Sequence, residues 1–169
     1  MLKERLGLGV RGTLAGTVAL RIDDEHQLAG GEIDLGISRA LLEAGSVAQG
    51  KFDALPDGIP LPNTPLGTIR LEARLTETQV QIGRLEADGG ALRLNTSGQL
   101  TVRSPWQQTG IAMPLEFQLD SDYVEEAGLG PVLGMFPQLQ RAQVGDGYAM
   151  TLGGALRNIR ISPGVRRAP

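Results

Sequence analysis

The most regular pattern in the chain is an alternation of two residue classes. Between Val10 and Ile22 every second residue is valine, leucine, isoleucine or glycine, and the residues between them are arginine, threonine or alanine. A period of two places these two sets on opposite faces of an extended backbone. The pattern therefore predicts a long β-strand with one apolar face.

The same alternation recurs and predicts an antiparallel meander. Further strands are predicted over 31–38, 68–76, 79–86, 92–102, 111–119 and 147–161. The Asp-Gly step within 87–90 favours a hairpin turn. The apolar residues move from even to odd positions between Ile82 and Leu85, which predicts a bulge at Gly83. Strands this much longer than the usual ~5–6 residues favour a curved sheet or a taco-like groove over a compact sandwich.

Two short helical segments are expected between the strands. Ser38 would cap a helix over 39–44, and Gly45 would end it. The second segment, over 121–139, is broken by glycine and proline, and its apolar residues are candidates for covering the apolar face. The proline-rich stretch 50–67 is interpreted as an ordered loop. The predicted class is mainly β, in a single domain over residues 1–169.

Composition narrows the possible functions. The chain has 169 residues and a net charge of −3, and its basic residues are scattered along strand faces, which argues against a nucleic-acid partner. It has no cysteine, so disulfides and thiolate sites are excluded. The longest apolar runs are too short for a membrane helix, and the start is unlike a signal peptide because it carries an acid and lacks an apolar central stretch. An upstream segment would have to carry the domain out of the cytoplasm.

The residues suited to catalysis or metal binding are sparse. His26 is the single histidine and is interpreted as a solvated turn residue. The acidic run 23–25 lacks the ligand spacing of a calcium loop. The glycine pattern over 7–12 leads into a strand, the wrong context for a dinucleotide site. We therefore expect no enzyme activity and no cofactor.

The apolar side of the predicted sheet is the main candidate for recognition. A single sheet must cover such a face with its own helices, a partner or a lipid, because large exposed apolar patches are rare on soluble monomers. The candidate groove or partner face consists of Val18, Leu20, Ile33, Leu35, Leu92, Leu94, Leu115 and Phe117.

Five segments share a pattern of strands punctuated by glycine: Gly12–Leu20, Gly30–Leu35, Pro65–Ala73, Leu85–Val102 and Gly145–Asn158. These segments resemble the periplasmic part of the type II secretion system protein N family. The same pattern of strands and glycines is similar to that of AsmA-like proteins, which form β-grooves associated with lipid transport between bacterial membranes. The resemblance to the secretion family implies a noncatalytic accessory component with one membrane helix and a periplasmic domain. This chain would be the C-terminal part of that domain.

Two functions follow as hypotheses. In the first, the chain is a periplasmic module of a type II secretion system, anchored to the inner membrane through an absent segment and bound to other secretion-system proteins. In the second, it is an AsmA-like groove whose apolar stripe faces lipid. A continuous, unplugged groove would favour lipid, whereas a face filled by Leu133, Met135 and Phe136 would count against it. An unrelated β-rich carbohydrate binder is a weaker alternative, because the chain has one Trp and two Tyr.

Overall fold

A computed structural model describes residues 9–26, 28–47 and 59–164. The architecture is one large, curved, open antiparallel sheet with three short α-helices, and 64% of the chain is strand. This confirms the predicted mainly β class. Residues 50–58 of the proline-rich stretch lie outside the described residues.

Nine strands form the main sheet and two form a small separate one. The strands are β1 Val10–Ile22, β2 Leu28–Leu42, β3 Gly45–Val47, β4 Ile59–Leu61, β5 Thr64–Thr76, β6 Gln79–Asp88, β7 Leu92–Thr101, β8 Gly110–Leu119, β9 Gln143–Val144, β10 Gly147–Ala155 and β11 Asn158–Pro163. The main order is β1-β2-β5-β6-β7-β8-β10-β11, with β9 beside β10. Strands β3 and β4 pair separately, so β2 lies directly against β5.

The central meander follows the sequence prediction closely. Strands β5 and β6 meet at a tight turn, and Gly89, with φ of 83°, lies in the turn between β6 and β7. Opposite β6, Glu72 pairs with Arg84 while Ala73 pairs with Ile82, so Gly83 is an extra residue in its strand. The predicted bulge is therefore confirmed.

The helix predicted over 39–44 is wrong. Strand β2 continues to Leu42 and pairs with β1 on one side and β5 on the other. The pairing with β5 shifts register between Ile37 and Ala40 and again between Ala40 and Leu41, and Arg39 adopts a φ of 53° there. An isolated helix this short is marginal in water. Pairing on two sides instead satisfies the backbone of the segment, so tertiary context overrides its helical signals.

The single last strand predicted over 147–161 is also wrong, because the segment folds into the β10–β11 hairpin. Ala155 pairs with Asn158 across the turn. The backbone N–H groups of Leu156 and Arg157 donate to the carbonyls of Thr109 and Gln107. These bonds hold the turn against the 3₁₀ segment Trp106–Gln108 and the adjacent Thr109. The local sequence gives no sign of this contact.

The helical insert lies between β8 and β9. It forms three helices where the sequence indicated two pieces: α1 Ser121–Glu126, α2 Gly130–Gly134 and α3 Pro137–Ala142. Asp120 caps α1 by accepting hydrogen bonds from the backbone N–H groups of Asp122 and Tyr123. Helices α2 and α3 each have a proline in the first turn. Proline is tolerated there because a backbone N–H at that position would have no acceptor within the helix.

We predict that Gly98→Ala lowers the free energy of unfolding by about 2–4 kcal/mol. Gly98 has a φ of 148°, and an added Cβ would lie 2.5 Å from the carbonyl oxygen of Ala112 and 2.7 Å from the Cγ of Met113. Urea denaturation measures the change.

Gly36→Ala is the matched control for this substitution. Its nearest neighbours would be carbonyl oxygens at 3.9 Å, in ordinary contact, so a change of less than about 1 kcal/mol is expected. Equal losses at the two glycines would show that backbone approach does not determine the effect.

Candidate interaction surface

Cross-strand register aligns the apolar residues of successive strands into rows on one side of the sheet. Residues that pair across antiparallel strands point to the same face. One row begins at the β1 edge and crosses to β11, and two other rows flank it. The row consists of Val18, Ile33, Ala73, Ile82, Gly98, Met113, Leu152 and Ile161. We call this side the apolar face.

The structure places all the sequence-predicted groove residues on this face, in two groups. Val18 lies opposite Ile33, and Leu94 lies opposite Phe117. The group on β1 and β2 comprises Val18, Leu20, Ile33 and Leu35, and the group on β7 and β8 comprises Leu92, Leu94, Leu115 and Phe117. Strands β5 and β6 separate the two groups, so they do not meet in one pocket.

Strands β5, β6 and β10 supply the apolar residues that complete the face. Sequence reasoning left them out of the candidate set, although they show the same alternation. Only the register joins them to the predicted groups. These residues are Leu71, Ala73, Leu75, Val80, Ile82, Leu85, Met150 and Leu152.

Burial on the apolar face decreases from the centre to the edges. Ala73, Ile82 and Met113 form a buried cluster against which side chains of β2, β7 and β10 pack. On β1, by contrast, Leu14 is 62% exposed and Val18 is 53% exposed. The centre therefore acts as a core, whereas the β1 side is open to solvent.

The helical insert occupies one end of the sheet. Helix α3 packs against β10 and β11. Tyr148 stacks on Phe117, with ring centroids 4.9 Å apart, and borders a depression lined by residues of all three helices. Tyr123 of α1 shares a hydrogen bond with Thr64 at the start of β5. The insert therefore contacts the main sheet chiefly at β10 and β11, away from β1.

The residues expected to plug the groove take different environments. Leu133 and Phe136 are half-buried, while Met135 is 50% exposed. Leu133 lines the depression beside Tyr148. Because the insert packs mainly on β10 and β11, it leaves the apolar residues of β1 without a helical cover.

The opposite face carries charged side chains in ion pairs. Arg84 contacts Glu86 at 2.7 Å and Glu72 at 3.7 Å, and Arg74 contacts Glu32 at 3.5 Å. The hydrogen bond that Arg84 donates to the Glu86 carboxylate, together with the negative charge of that carboxylate, raises the pKa of Arg84. These pairs are solvent-exposed, so screening by water keeps the contribution of each one to stability small. The arrangement is that of a solvated strand face.

The two edges of the main sheet differ. Strand β1 has 13 residues, all exposed. Strand β11 has six residues, ends at Pro163 and contacts α3. Proline, short length and a covering element all protect an edge against further strand pairing. Within 9–26, 28–47 and 59–164, the β1 edge has none of these protections.

Neither a metal-ligand cluster in the described residues nor a matching protein assigns a function to this surface. Comparison with protein-family models, curated proteins and solved structures finds no match. Across 9–26, 28–47 and 59–164, no three metal-ligating side chains come together and no helix is long and apolar enough to span a membrane. The relationship to secretion-system or AsmA-like proteins therefore stays a prediction.

We predict that Met113→Ala destabilises the fold by about 3 kcal/mol, because Met113 belongs to the buried central cluster. Val18→Ala, in the same row but 53% exposed, should cost less than about 1 kcal/mol. Chemical denaturation of both variants tests the contrast. A loss at Val18 as large as that at Met113 would show that β1 is covered in solution.

Proposed function

We propose that the chain is a noncatalytic structural and protein-interaction module of a bacterial type II secretion system. It acts in the periplasm and is held at the inner membrane through a segment outside this chain. Its partners are other secretion-system proteins, which bind the sheet by its edge. The observation that carries the proposal is the unprotected β1 edge, exposed along all 13 residues. Such an edge is suited to binding another chain by strand addition.

The segments that carry the sequence resemblance lend further support. They fall in β1, β2, β5, β6, β7 and β10, and all of these strands belong to the main sheet. The resemblance therefore concerns the architecture of the sheet and not one isolated loop. A module of this kind needs a stable sheet and an accessible edge, and it needs no catalytic group.

We predict that a photo-crosslinking amino acid at Thr17 captures secretion-system proteins in the living bacterium. Thr17 is exposed and lies midway along β1. The same amino acid at Gln81, which is exposed on β6 within the sheet, is the matched control. Crosslinked products are identified by mass spectrometry, and secretion of exported enzymes is measured in a strain lacking the protein.

Two results would contradict this function. One is normal secretion in the deletion strain together with no secretion-system protein among the Thr17 products. The other is equal capture of the same proteins from Thr17 and Gln81, because the β1 edge would then have no special role.

A lipid-binding groove of the AsmA-like kind is the second candidate. The observation in its favour is that helix α3 packs on β10 and β11, while the apolar side chains of β1 are exposed. The apolar face is then available to acyl chains next to its buried central cluster. An apolar channel without an internal plug is what such a function requires.

For this candidate, we predict that the domain purified from bacterial envelopes carries phospholipid at about one per chain, as seen by native mass spectrometry with lipid extraction. Leu94→Asp with Phe117→Asp would abolish that binding, since both side chains lie on the apolar face. Asn95→Asp with Gln118→Asp places the same charges one residue along, on the opposite face, and should leave it intact.

Circular dichroism distinguishes loss of lipid from loss of fold in these variants. A folded, lipid-free wild-type domain would exclude the groove for this chain. Equal lipid loss in both double variants would also count against it, because the effect would not depend on the apolar face.

A further inference from the structure

Strand β1 differs from the β11 edge because it is long and because no helix packs on it among the described residues. It contains no proline, and every position that faces the apolar side is apolar or glycine, from Val10 to Ile22. Native sheets usually place a charge on the inward face of a long edge strand, or shorten or cover it. As the edge strand of the described sheet, β1 offers unpaired backbone groups and a row of apolar side chains together.

The polar side of this edge is basic in a chain whose net charge is −3. Within β1 the charged residues are Arg11 and Arg21, and no acidic residue is present. Arg39 of β2 adds a third cation beside the strand, because its guanidinium donates to Thr13 Oγ1 at 3.3 Å.

These cations differ in how far they are already neutralised. Arg11 forms an ion pair with Glu43. Among the described residues, no carboxylate lies within ion-pair distance of Arg21 or Arg39. The end of β1 at Arg21 and the region around Thr13 therefore retain positive charge that a neighbouring strand would meet.

Pairing of two β1 strands from separate copies is disfavoured by the same residues. In the antiparallel register that pairs all 13 residues, Gly16 lies on the two-fold axis and Arg11 lies opposite Arg21 of the other copy. Like charges directly opposite each other destabilise a strand pair. Two glycines facing each other also leave the centre of the new pair without side-chain contacts.

We propose that β1 binds, by antiparallel strand addition, an extended segment of another protein that alternates apolar and acidic residues. Its apolar side chains extend the apolar face beside Leu14, Val18 and Leu20, and a large one fills the space above Gly16. Its carboxylates face Arg21 at one end and Arg39 at the other. This inference rests on the proposed function and adds the chemistry of the partner.

A designed peptide tests the inference on the whole chain. The peptide spans positions 11–21 of β1, with valine or isoleucine at alternate positions, phenylalanine opposite Gly16, and glutamate opposite Arg21 and Thr13. Fluorescence anisotropy should show saturable binding. Arg21→Glu with Arg39→Glu should weaken it about tenfold, and a peptide with lysine in place of glutamate should restore it in that variant.

Backbone methylation tests whether the peptide binds as a strand. In an added strand, alternate N–H groups bond to β1 and the others point away. Methylating one alternate set of peptide nitrogens should abolish binding, and methylating the other set should leave most of it. Glu72→Gln with Glu86→Gln, a charge change on β5 and β6, should not alter affinity. Circular dichroism confirms that each protein variant is folded.

Four outcomes would overturn the inference. Three concern the peptide: no binding, binding that the charge reversal leaves unchanged, and equal tolerance of both methylation patterns. Self-association that Arg21→Glu strengthens and that excludes the peptide would point to a second copy as the occupant, which also overturns it. If the peptide fails while Thr17 still crosslinks to secretion-system proteins, the proposed function stands and only the partner chemistry is wrong. Failure of both would remove the function as well.

Discussion

Cross-strand register is the constraint on which the rest of this structure depends. In the described part of the chain no second sheet packs against the main sheet, so its apolar side chains gain most of their burial from neighbours on adjacent strands. A slip of one residue in any strand would turn its apolar set to the charged side. The central cluster of Ala73, Ile82 and Met113 exists because β5, β6 and β8 keep their register across the bulge at Gly83 and the close approach at Gly98.

The alternation of apolar and polar residues predicted the strands well, because the two faces of a strand follow from its own sequence. The long β1 strand, the turns bounding β6 and the bulge at Gly83 are all local features, written in a few adjacent residues. The apolar face was likewise predictable strand by strand. Its completion by β5, β6 and β10 was not, because continuity across strands depends on pairing that no single segment encodes.

The errors arose where tertiary pairing overrode a local signal. Ser38 and Gly45 bracket a plausible helix, but pairing on two sides keeps that stretch in β2. The turn of the β10–β11 hairpin at Leu156 and Arg157 lacks a typical turn sequence, and its backbone is fixed by carbonyls near the 3₁₀ segment. The asymmetry between the open β1 edge and the blunted β11 edge was also invisible, since it depends on where α3 packs.

The strand order has a consequence for how the sheet comes into being. Most strands of the main sheet pair with the next strand along the chain. The exceptions are β2, which pairs with β5 because β3 and β4 lie outside the main sheet, and β8, which pairs with β10 after the helical insert and β9. Contacts between neighbours in sequence need only short loops to be closed, which lowers the entropic cost of each addition. The sheet can therefore grow outward from its central hairpins one strand at a time. Addition of a further strand at β1 would continue the same process by which the molecule folds.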